Sequence, residues 1–341
     1  MKIGIVGYQG SGKSTLFHWL TGEPPDPSMA HRTRSAMATV PEPRVEALRK
    51  IYLPKKVSLA ALEIVDTPGL HRSHEGSAAK LALIRDTGCL FIVVAAYDGS
   101  DPAADLSNFE DDLLITDLDI VSGRIERLRE SIKKPRPNRD ELQAELDMLL
   151  PLHRRLEEGR AAHHLELTPE LMKTTKSFQL FCEKPRMALI NTAEGEGDAE
   201  RYAGLLPPTT PLFAFSLGLE SELATLSAAE REEFCREMEL QGFDRDLVIR
   251  TMMETSGQML YFTAGDREVR TWMLPKGGTA LDAAGTIHTD LAQGFIRAET
   301  MNIDDLIRLG SEREMKAHNL VRHEPKDYVV QEGDVLLIRH N

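Results

Sequence analysis

The chain has 341 residues, a length that fits two or three domains. Its composition, 41% hydrophobic and 28% charged, is sufficient for buried cores, and no apolar run is long enough to span a membrane. The formal net charge of −13 argues against broad, non-specific nucleic-acid binding but leaves room for a local basic patch. Because the sequence starts in a predicted strand and its cysteines are scattered (Cys89, Cys182, Cys235), we expect no signal peptide and a reducing, cytoplasmic location.

A glycine-rich loop occupies residues 7–14, which spell G-x-x-x-x-G-K-S. It lies between a predicted strand over residues 3–6 and a predicted helix over residues 16–20, the context of a phosphate-binding P-loop rather than of a chance glycine-rich turn. We expect Lys13 to reach the β- and γ-phosphates of a nucleotide and the Ser14 hydroxyl to bind Mg²⁺. The predicted nucleotide-binding residues of this loop are Gly10, Ser11, Gly12, Lys13, Ser14 and Thr15.

A second predicted strand, residues 62–66, ends in the pattern D-x-x-G formed by Asp66 and Gly69. At this distance from a P-loop the pattern is typical of switch II in GTPase-like folds, although a plain strand-ending turn is the alternative. Asp66 is expected to hold Mg²⁺ through water, and the Gly69 N–H is expected to contact the γ-phosphate. With Lys13, we place Gly69 and Leu70 in the catalytic set.

Leu70 occupies the position at which Ras-like enzymes carry a water-orienting glutamine. A leucine side chain cannot orient water, so we expect slow intrinsic hydrolysis that another residue, an ion or a partner assists. Four side chains are candidates only because they lie near the switches in sequence, and each has a solvated loop side chain as its alternative interpretation: Arg32, Arg34, His71 and His74.

Two later apolar runs, residues 89–96 and 187–190, have the character of parallel strands buried on both faces. The second run leads into Asn191-Thr-Ala-Glu194, where GTPases carry the guanine-reading sequence N-K-x-D. Glu194 replaces the aspartate of that pattern, so the usual guanine reader is missing. Asn191 could meet a purine N7 or the P-loop itself, and the backbone N–H of Ser216 could touch the base.

An insertion interrupts this pattern with apolar residues at helical spacing, residues 121–132 and 142–156, separated by a proline-containing break. We predict an antiparallel helical hairpin whose tip is the break. The tip carries Lys133, Lys134, Arg136 and Arg139 without an acidic residue, which favours an electrostatic contact with RNA. A solvated loop that caps a coiled coil is the alternative.

From about Gly257 the sequence predicts short strands and turns. A hairpin is predicted over residues 259–273, a helix over residues 280–287 with Thr279 as its cap, and a last strand over residues 335–338. Three polar residues of this region could contact a partner or RNA, or could simply hold loops: His288, Asp290 and Arg297.

Together these motifs resemble the Obg-like ATPase (YchF) family. The resemblance runs nearly end to end and includes the P-loop, the D-x-x-G pattern, N-x-x-E at Asn191–Glu194, and C-terminal strings over residues 261–272, 284–290, 294–299 and 326–334. It implies an α/β fold with a Ras-like P-loop G domain, an inserted antiparallel helical hairpin and a C-terminal β-grasp domain of the TGS type. The implied bounds are 1–116 and 178–256 for the G domain, 117–177 for the arm and 257–341 for the TGS domain.

Departures from the family pattern leave two points of the site open. Gly10 stands where the family usually has an asparagine, which puts activation by a monovalent cation such as potassium in doubt. The family's switch I threonine has no direct counterpart, since Ala30 occupies the corresponding position. Thr33 or Thr39 could replace it as a metal ligand.

The resemblance implies an Mg²⁺-dependent ATPase that prefers ATP to GTP because of Glu194. We expect it to hydrolyse ATP slowly, to act as a nucleotide-gated switch, and to associate with the ribosome or RNA through the arm tip and the TGS domain. We further expect a monomer without membrane association. Two alternatives stay open: an RNA- or ribosome-binding module whose nucleotide site is mainly structural, and a GTPase.

Overall fold

The computed structural model of the protein describes residues 1–24, 32–73, 77–135, 137–159, 168–238 and 242–341. Contacts group the chain into two compact units. Unit 1 comprises Met1–Ala36 and Glu63–Phe243, and unit 2 comprises Met37–Leu62 and Asp244–Asn341. The segment between the P-loop and switch II therefore belongs largely to the unit that contains the C-terminal domain.

The secondary structure alternates between strands and helices in the first two thirds of the chain. The strands are β1 (Lys2–Val6), β2 (Arg34–Thr39), β3 (Lys56–Ser58), β4 (Ala61–Asp66), β5 (Cys89–Ala95), β6 (Arg186–Asn191), β7 (Leu212–Phe215), β8 (Gln258–Ala264), β9 (Glu268–Pro275), β10 (Phe295–Asn302), β11 (Arg322–Glu324) and β12 (Asp334–His340). The helices are α1 (Lys13–Thr21), α2 (Arg44–Tyr52), α3 (Ser77–Arg85), α4 (Pro102–Ile132), α5 (Arg139–Glu157), α6 (Pro169–Thr175), α7 (Leu217–Leu223), α8 (Ala228–Glu237), α9 (Arg245–Thr255), α10 (Ala280–Ile287), α11 (Thr289–Gln293), α12 (Ile303–Leu309) and α13 (Glu312–Ala317).

The first sheet has six strands in the order β2-β4-β1-β5-β6-β7. Neighbouring strands from β4 to β7 run parallel, as the predicted α/β fold requires. Every residue of β5 is buried, because a parallel sheet is covered by helices on both faces. The carboxyl ends of β1, β4 and β6 therefore lie at one edge, where the P-loop, switch II and the Asn191 loop begin.

Helix α4 leaves this sheet and continues without interruption into the predicted arm. Its N-terminus is capped by Asp101, whose side chain accepts hydrogen bonds from the N–H groups of Ala103 and Ala104. The first half of α4 packs on the core of unit 1 through Leu106 and Phe109. The predicted start of the arm, residue 117, therefore falls inside α4.

The arm is a hairpin of α4 and α5, as the apolar spacing predicts. Val121 and Leu128 of α4 share a buried cluster with Leu149 and Leu156 of α5. An ion pair with two hydrogen bonds of 2.7 Å, between Arg124 and Glu145, links the helices beside this cluster.

Unit 2 contains a second six-stranded sheet, in the order β11-β10-β12-β8-β9-β3. Strands β8 and β9 form the predicted hairpin, with Leu260 opposite Met273. Thr279 caps α10 through a capping box with Asp282, and β12 supplies the predicted last strand. Strand β12 runs parallel to β8 in the middle of the sheet, a β-grasp arrangement.

One edge of this sheet comes from an unexpected part of the chain. Strand β3 pairs in parallel with β9, with Val57 opposite Val269. Helix α2 adds Val45 and Leu48 to a buried cluster that also contains Phe262. Sequence periodicity did not identify this packing, because a three-residue strand carries no alternating pattern and its partner lies about two hundred residues later.

In the part of the chain that the structure describes, no helix combines the length and the apolar character needed to cross a membrane.

A buried carboxylate fixes the base of the arm. The Asp117 side chain is fully buried and accepts hydrogen bonds from Arg85 Nη1 at 3.1 Å and from the N–H groups of Phe181 and Cys182 at 3.0 and 2.8 Å. It compensates the charge of the Arg85 guanidinium and accepts from two buried backbone N–H groups.

We therefore expect Asp117→Ala to lower the free energy of unfolding of unit 1 by about 3–5 kcal/mol, the cost of leaving a buried charge without its partner. Urea denaturation followed by circular dichroism measures this change. The exposed Asp119, two residues later on the same helix, provides the control variant Asp119→Ala. Equal shifts of the two variants would contradict the assigned role of Asp117.

Candidate nucleotide-binding site

The P-loop connects β1 to α1 and takes its shape from glycine. Gly12, which caps α1, has a φ of 103°, a left-handed conformation that residues with side chains rarely adopt. A Cβ atom at this position would also lie 2.5 Å from Asn191 Nδ2. Both the torsion and the close approach therefore require glycine here, and the free N–H groups of the α1 N-terminus point toward the region where phosphates bind.

Lys13 begins α1 and is only 7% exposed. Its ammonium group donates a hydrogen bond of 2.7 Å to the carbonyl of Tyr8, which folds the side chain back over the loop. Burial lowers the pKa of Lys13 to about 8, while the charge of Asp66 acts in the opposite direction and the charge of Lys80 lowers it further. An anion at this site would favour the charged form of the lysine.

Ser14 and Asp66 meet beside the lysine. Ser14 Oγ donates a hydrogen bond of 2.8 Å to Asp66 Oδ2, and Asp66 is 8% exposed. The other carboxylate oxygen, Oδ1, is buried and has no hydrogen-bond partner among the described residues. Burial raises the pKa of Asp66, against the effects of Ser14, Lys13 and Arg34.

This donor set fits Mg²⁺, which favours oxygen ligands and is usually bound by one or two protein groups together with phosphates and water. The Ser14 hydroxyl, at the start of α1, and the Asp66 carboxylate, at the end of β4, meet at one point. No group of three or more histidine, cysteine, aspartate or glutamate side chains suited to a metal occurs in the described ranges. Ser14 and Asp66 are therefore the pair that the described structure offers to Mg²⁺, and it does not choose between Thr33 and Thr39 as a further ligand.

Switch II is hydrogen-bonded to the P-loop by main chain. Gln9 N–H donates to the Leu70 carbonyl at 2.9 Å, and Leu70 N–H donates to the Gly7 carbonyl at 3.1 Å. The Leu70 side chain is fully buried in the core of unit 1. Leu70 therefore acts here through its backbone and its packing, and its side chain does not face the region where phosphates bind.

Gly69 lies directly against the P-loop lysine. A Cβ atom on Gly69 would be 2.7 Å from Lys13 Nζ and 2.9 Å from the backbone of Gln9. A residue with a side chain would push the two loops apart, so the approach of switch II to the phosphate site depends on glycine at this position.

Asn191 ties the end of β6 to the P-loop. Its Nδ2 donates to the Ser11 carbonyl at 3.1 Å, and its Oδ1 accepts from the Leu217 N–H at 3.0 Å. Of the two roles that the sequence left open for Asn191, the structure supports contact with the loop. Glu194 is exposed three residues later. Ser216 is half-buried, and its Oγ accepts from the Leu219 N–H at 3.3 Å, so its side chain caps α7.

The other candidate residues differ in where the structure places them. Arg34 Nη2 donates to the Pro24 carbonyl at 3.0 Å, and its guanidinium lies 5.2 Å from the Phe17 ring centroid, near enough to lower the pKa of Asp66. Other side chains are exposed: Arg32, Thr33, Thr39 and His71. Ala30 and His74 lie outside the described residues.

Sequence reasoning missed a polar network that joins the P-loop to α4. Tyr8 Oη donates to Asp112 at 3.1 Å, and Arg72 pairs with Asp105 through hydrogen bonds of 2.9 and 2.6 Å. The Arg72 guanidinium lies 5.6 Å from the Tyr8 ring centroid. The spacing of seven residues between the aspartates places both on one helix face, but that pattern alone names no partner.

Tyr97 was also not identified. Its hydroxyl donates a hydrogen bond of 2.5 Å to the carbonyl of Gly10, so the loop after β5 supports the middle of the P-loop.

Comparison with known proteins agrees with this geometry. The family model described as "50S ribosome-binding GTPase" matches residues 2–122, and the model of the YchF GTPase C-terminal region, described as "Protein of unknown function (DUF933)", matches residues 259–341. Obg-like ATPase 1 of Oryza sativa subsp. japonica is 33% identical, with 100% of this chain and 92% of the relative covered. The chain belongs to the YchF family of Obg-like ATPases.

Other members of the YchF family show the same extent of similarity. Ribosome-binding ATPase YchF of Bacillus subtilis is 31% identical, with 100% of this chain and 99% of the relative covered. The solved structure of the Schizosaccharomyces pombe YchF GTPase matches with a TM-score of 0.86 at 25% identity, over 99% of this chain and 97% of that chain. The resemblance to the YchF family and the predicted fold class are confirmed: a P-loop G domain is joined to the C-terminal domain of the family, and the chain is a nucleotide-binding protein of the P-loop NTPase class.

We expect Asn191→Ala to weaken ATP binding by roughly tenfold or more, since each lost hydrogen bond is worth about 0.5–1.5 kcal/mol and a buried group left unpaired costs about 1–3 kcal/mol. The substitution removes two hydrogen bonds and leaves the Ser11 carbonyl and the Leu217 N–H unpaired. Isothermal titration with ATP and Mg²⁺ measures the affinity, and the exposed Asn138 provides the control Asn138→Ala. Unchanged affinity in Asn191→Ala would show that Gly12 and α7 hold the loop without it.

Proposed function

We propose that the protein is an Mg²⁺-dependent ATPase with slow intrinsic turnover that acts as a nucleotide-gated switch on the ribosome. The observation that carries the proposal is the convergence of Lys13, Ser14 and Asp66 at the start of α1, beside a switch II whose residue 70 offers no side chain to water. Binding groups are thus present without a side chain at position 70 that orients the attacking water.

Each residue has a role that follows from its position. The P-loop N–H groups and Lys13 bind and neutralise phosphate oxygens, and Gly69 senses the γ-phosphate through its N–H. Ser14 and Asp66 hold Mg²⁺ directly or through water. When bound, Mg²⁺ neutralises charge on the phosphate oxygens. Thr33 and Thr39 both stay open as the switch I ligand.

The preference for ATP is supported by position 194. Glutamate at this position lacks the aspartate geometry that pairs with guanine N1 and N2, and the rice and Bacillus subtilis relatives are named ATPases. GTP is the competing candidate, since the Schizosaccharomyces pombe relative is titled a GTPase. Titration with ATP and GTP separates the two, and tighter binding of GTP would overturn the preference for ATP.

Glu194→Asp is expected to raise the affinity for GTP relative to ATP by about tenfold, the value of one added hydrogen bond to a charged group. The exposed Glu196 lies two residues away, so Glu196→Asp is a control for the same change in side-chain length. The ratio of the two dissociation constants is the measurement. A ratio that moves equally in both variants would remove Glu194 as the specificity residue.

Ribosome association is supported by the names of several relatives and by the arm tip. Lys133, Lys134 and Arg139 are exposed there, and Lys133 also pairs with Glu130 at 2.5 Å. Arg136 lies outside the described residues. We place the protein in the cytoplasm as a monomer that contacts RNA through this tip and the TGS domain.

Reversing the charges of Lys133, Lys134, Arg136 and Arg139 to glutamate is expected to abolish co-sedimentation with ribosomes at moderate salt while leaving ATPase activity intact, because phosphate contacts depend on charge. The exposed Lys173, Lys176 and Arg236 allow a similar reversal elsewhere on unit 1 as a control. Co-sedimentation that survives in the tip variant would exclude the tip as the contact. If the protein binds ribosomes but hydrolyses no ATP, the alternative function is favoured, in which the protein is a ribosome-binding module with a mainly structural nucleotide site.

A further inference from the structure

A second lysine approaches the phosphate site from switch II. Lys80 lies in the first half of α3, and its half-buried ammonium group donates a hydrogen bond of 2.7 Å to the carbonyl of Gly69. The bond joins the helix that follows switch II to the glycine of the D-x-x-G pattern, eleven residues earlier in the chain.

Gly69 is therefore close to two ammonium groups. Its backbone is so close to Lys13 that a Cβ atom would be 2.7 Å from Lys13 Nζ, and its carbonyl accepts from Lys80. Both ammonium groups therefore approach the same residue, and the Asp66 carboxylate accepts a hydrogen bond from Ser14, the residue after Lys13. Two neighbouring cations and one carboxylate are an arrangement that an anionic ligand would stabilise.

Lys80 also restricts the backbone of switch II. The peptide between Gly69 and Leu70 is held on both sides, with its carbonyl bonded to Lys80 and its N–H bonded to the Gly7 carbonyl at 3.1 Å. Glycine has the greatest backbone freedom of any residue, so these two bonds supply the restriction that a side chain would otherwise impose.

We propose that Lys80 is a positioning residue that makes this site prefer a nucleoside triphosphate to a diphosphate. It holds Gly69 where its N–H meets the γ-phosphate, and it adds a second positive charge beside Gly69. The inference rests on the proposed function, since it concerns the same site. Lys80 would thus be a residue of the chain itself that helps the site to distinguish a triphosphate from a diphosphate.

The test compares the affinities of wild type and Lys80→Met for ADP and for a non-hydrolysable ATP analogue, both with Mg²⁺, by isothermal titration. The analogue is expected to bind ~10- to 100-fold more weakly to Lys80→Met, the range for a lost hydrogen bond to a charged group, while ADP binding changes less than about threefold. Lys80→Arg keeps the charge and the donor and is expected to restore the wild-type ratio. The exposed Lys173 gives the control Lys173→Met, which removes the same charge elsewhere.

The outcomes separate this inference from the proposed function. A wild-type protein that binds the analogue and ADP, with an unchanged ratio in Lys80→Met, overturns the role of Lys80 alone. Equal losses in Lys80→Arg and Lys80→Met would also overturn it, because shape rather than charge would then matter. A wild-type protein that binds neither nucleotide overturns the proposed function itself. Melting temperatures establish that each variant folds, and Lys80→Gln provides the same test should the methionine variant not fold.

Discussion

The nucleotide site depends on how the protein accommodates the buried ammonium group of Lys13. An amine at 7% exposure is costly unless polar groups surround it, and here the Tyr8 carbonyl and the Asp66 carboxylate do so. Parallel pairing of β1 with β4 brings Asp66 to the lysine, and the close approach of Lys13 and of the Gln9 backbone excludes any side chain at Gly69. The P-loop, the Ser14–Asp66 pair and switch II are therefore held under one electrostatic constraint at one edge of the sheet.

Helix α4 extends this constraint to the arm. Three of its aspartates receive donors from the nucleotide-binding half of unit 1: Asp105 from Arg72, Asp112 from Tyr8 and Asp117 from Arg85. Arg72 follows the D-x-x-G pattern and Arg85 ends α3, so both ends of the switch II region are paired with the same helix.

The pairing has a mechanical consequence for the arm. Because α4 runs continuously from Pro102 to Ile132, a rearrangement of switch II that breaks either ion pair acts on the helix that carries the arm. Two-state behaviour of these pairs is what a nucleotide-gated switch would need. The Arg85–Asp117 pair is buried, so breaking it is costly enough to make the states discrete, whereas the Arg72 side chain is about half exposed and its pair with Asp105 breaks at lower cost.

The sequence predicts the parts of this molecule that follow from local rules. The P-loop, the strand before Asp66, the arm helices and the Thr279 cap are each determined by spacing within a few turns of chain, and the structure contains them all. The family resemblance supplied the order of the domains.

Long-range partners could not be predicted in the same way. Nothing local to Lys80 indicates that its ammonium group meets Gly69, and nothing local to β3 indicates that it completes the sheet of β8 and β9. Leu70 shows that residue type can indicate a chemical property without indicating where the side chain lies. Its type predicts that it cannot orient water, but only packing shows that it lies in the core.

The burial of Leu70 also suggests why nucleotide affinity and the rate of hydrolysis would depend on different groups in this site. In the proposed function, Lys13, the P-loop N–H groups and the Gly69–Lys80 pair all act on charges that a bound triphosphate carries before any bond breaks. Interactions that stabilise the ground state and the transition state equally increase affinity without raising kcat. Acceleration requires a group that acts only as water attacks, and residue 70 has its side chain in the hydrophobic core. Under the proposed function, the chain would retain its triphosphate until an additional group orients the water, and such retention is the property that would let a nucleotide report the state of a larger assembly.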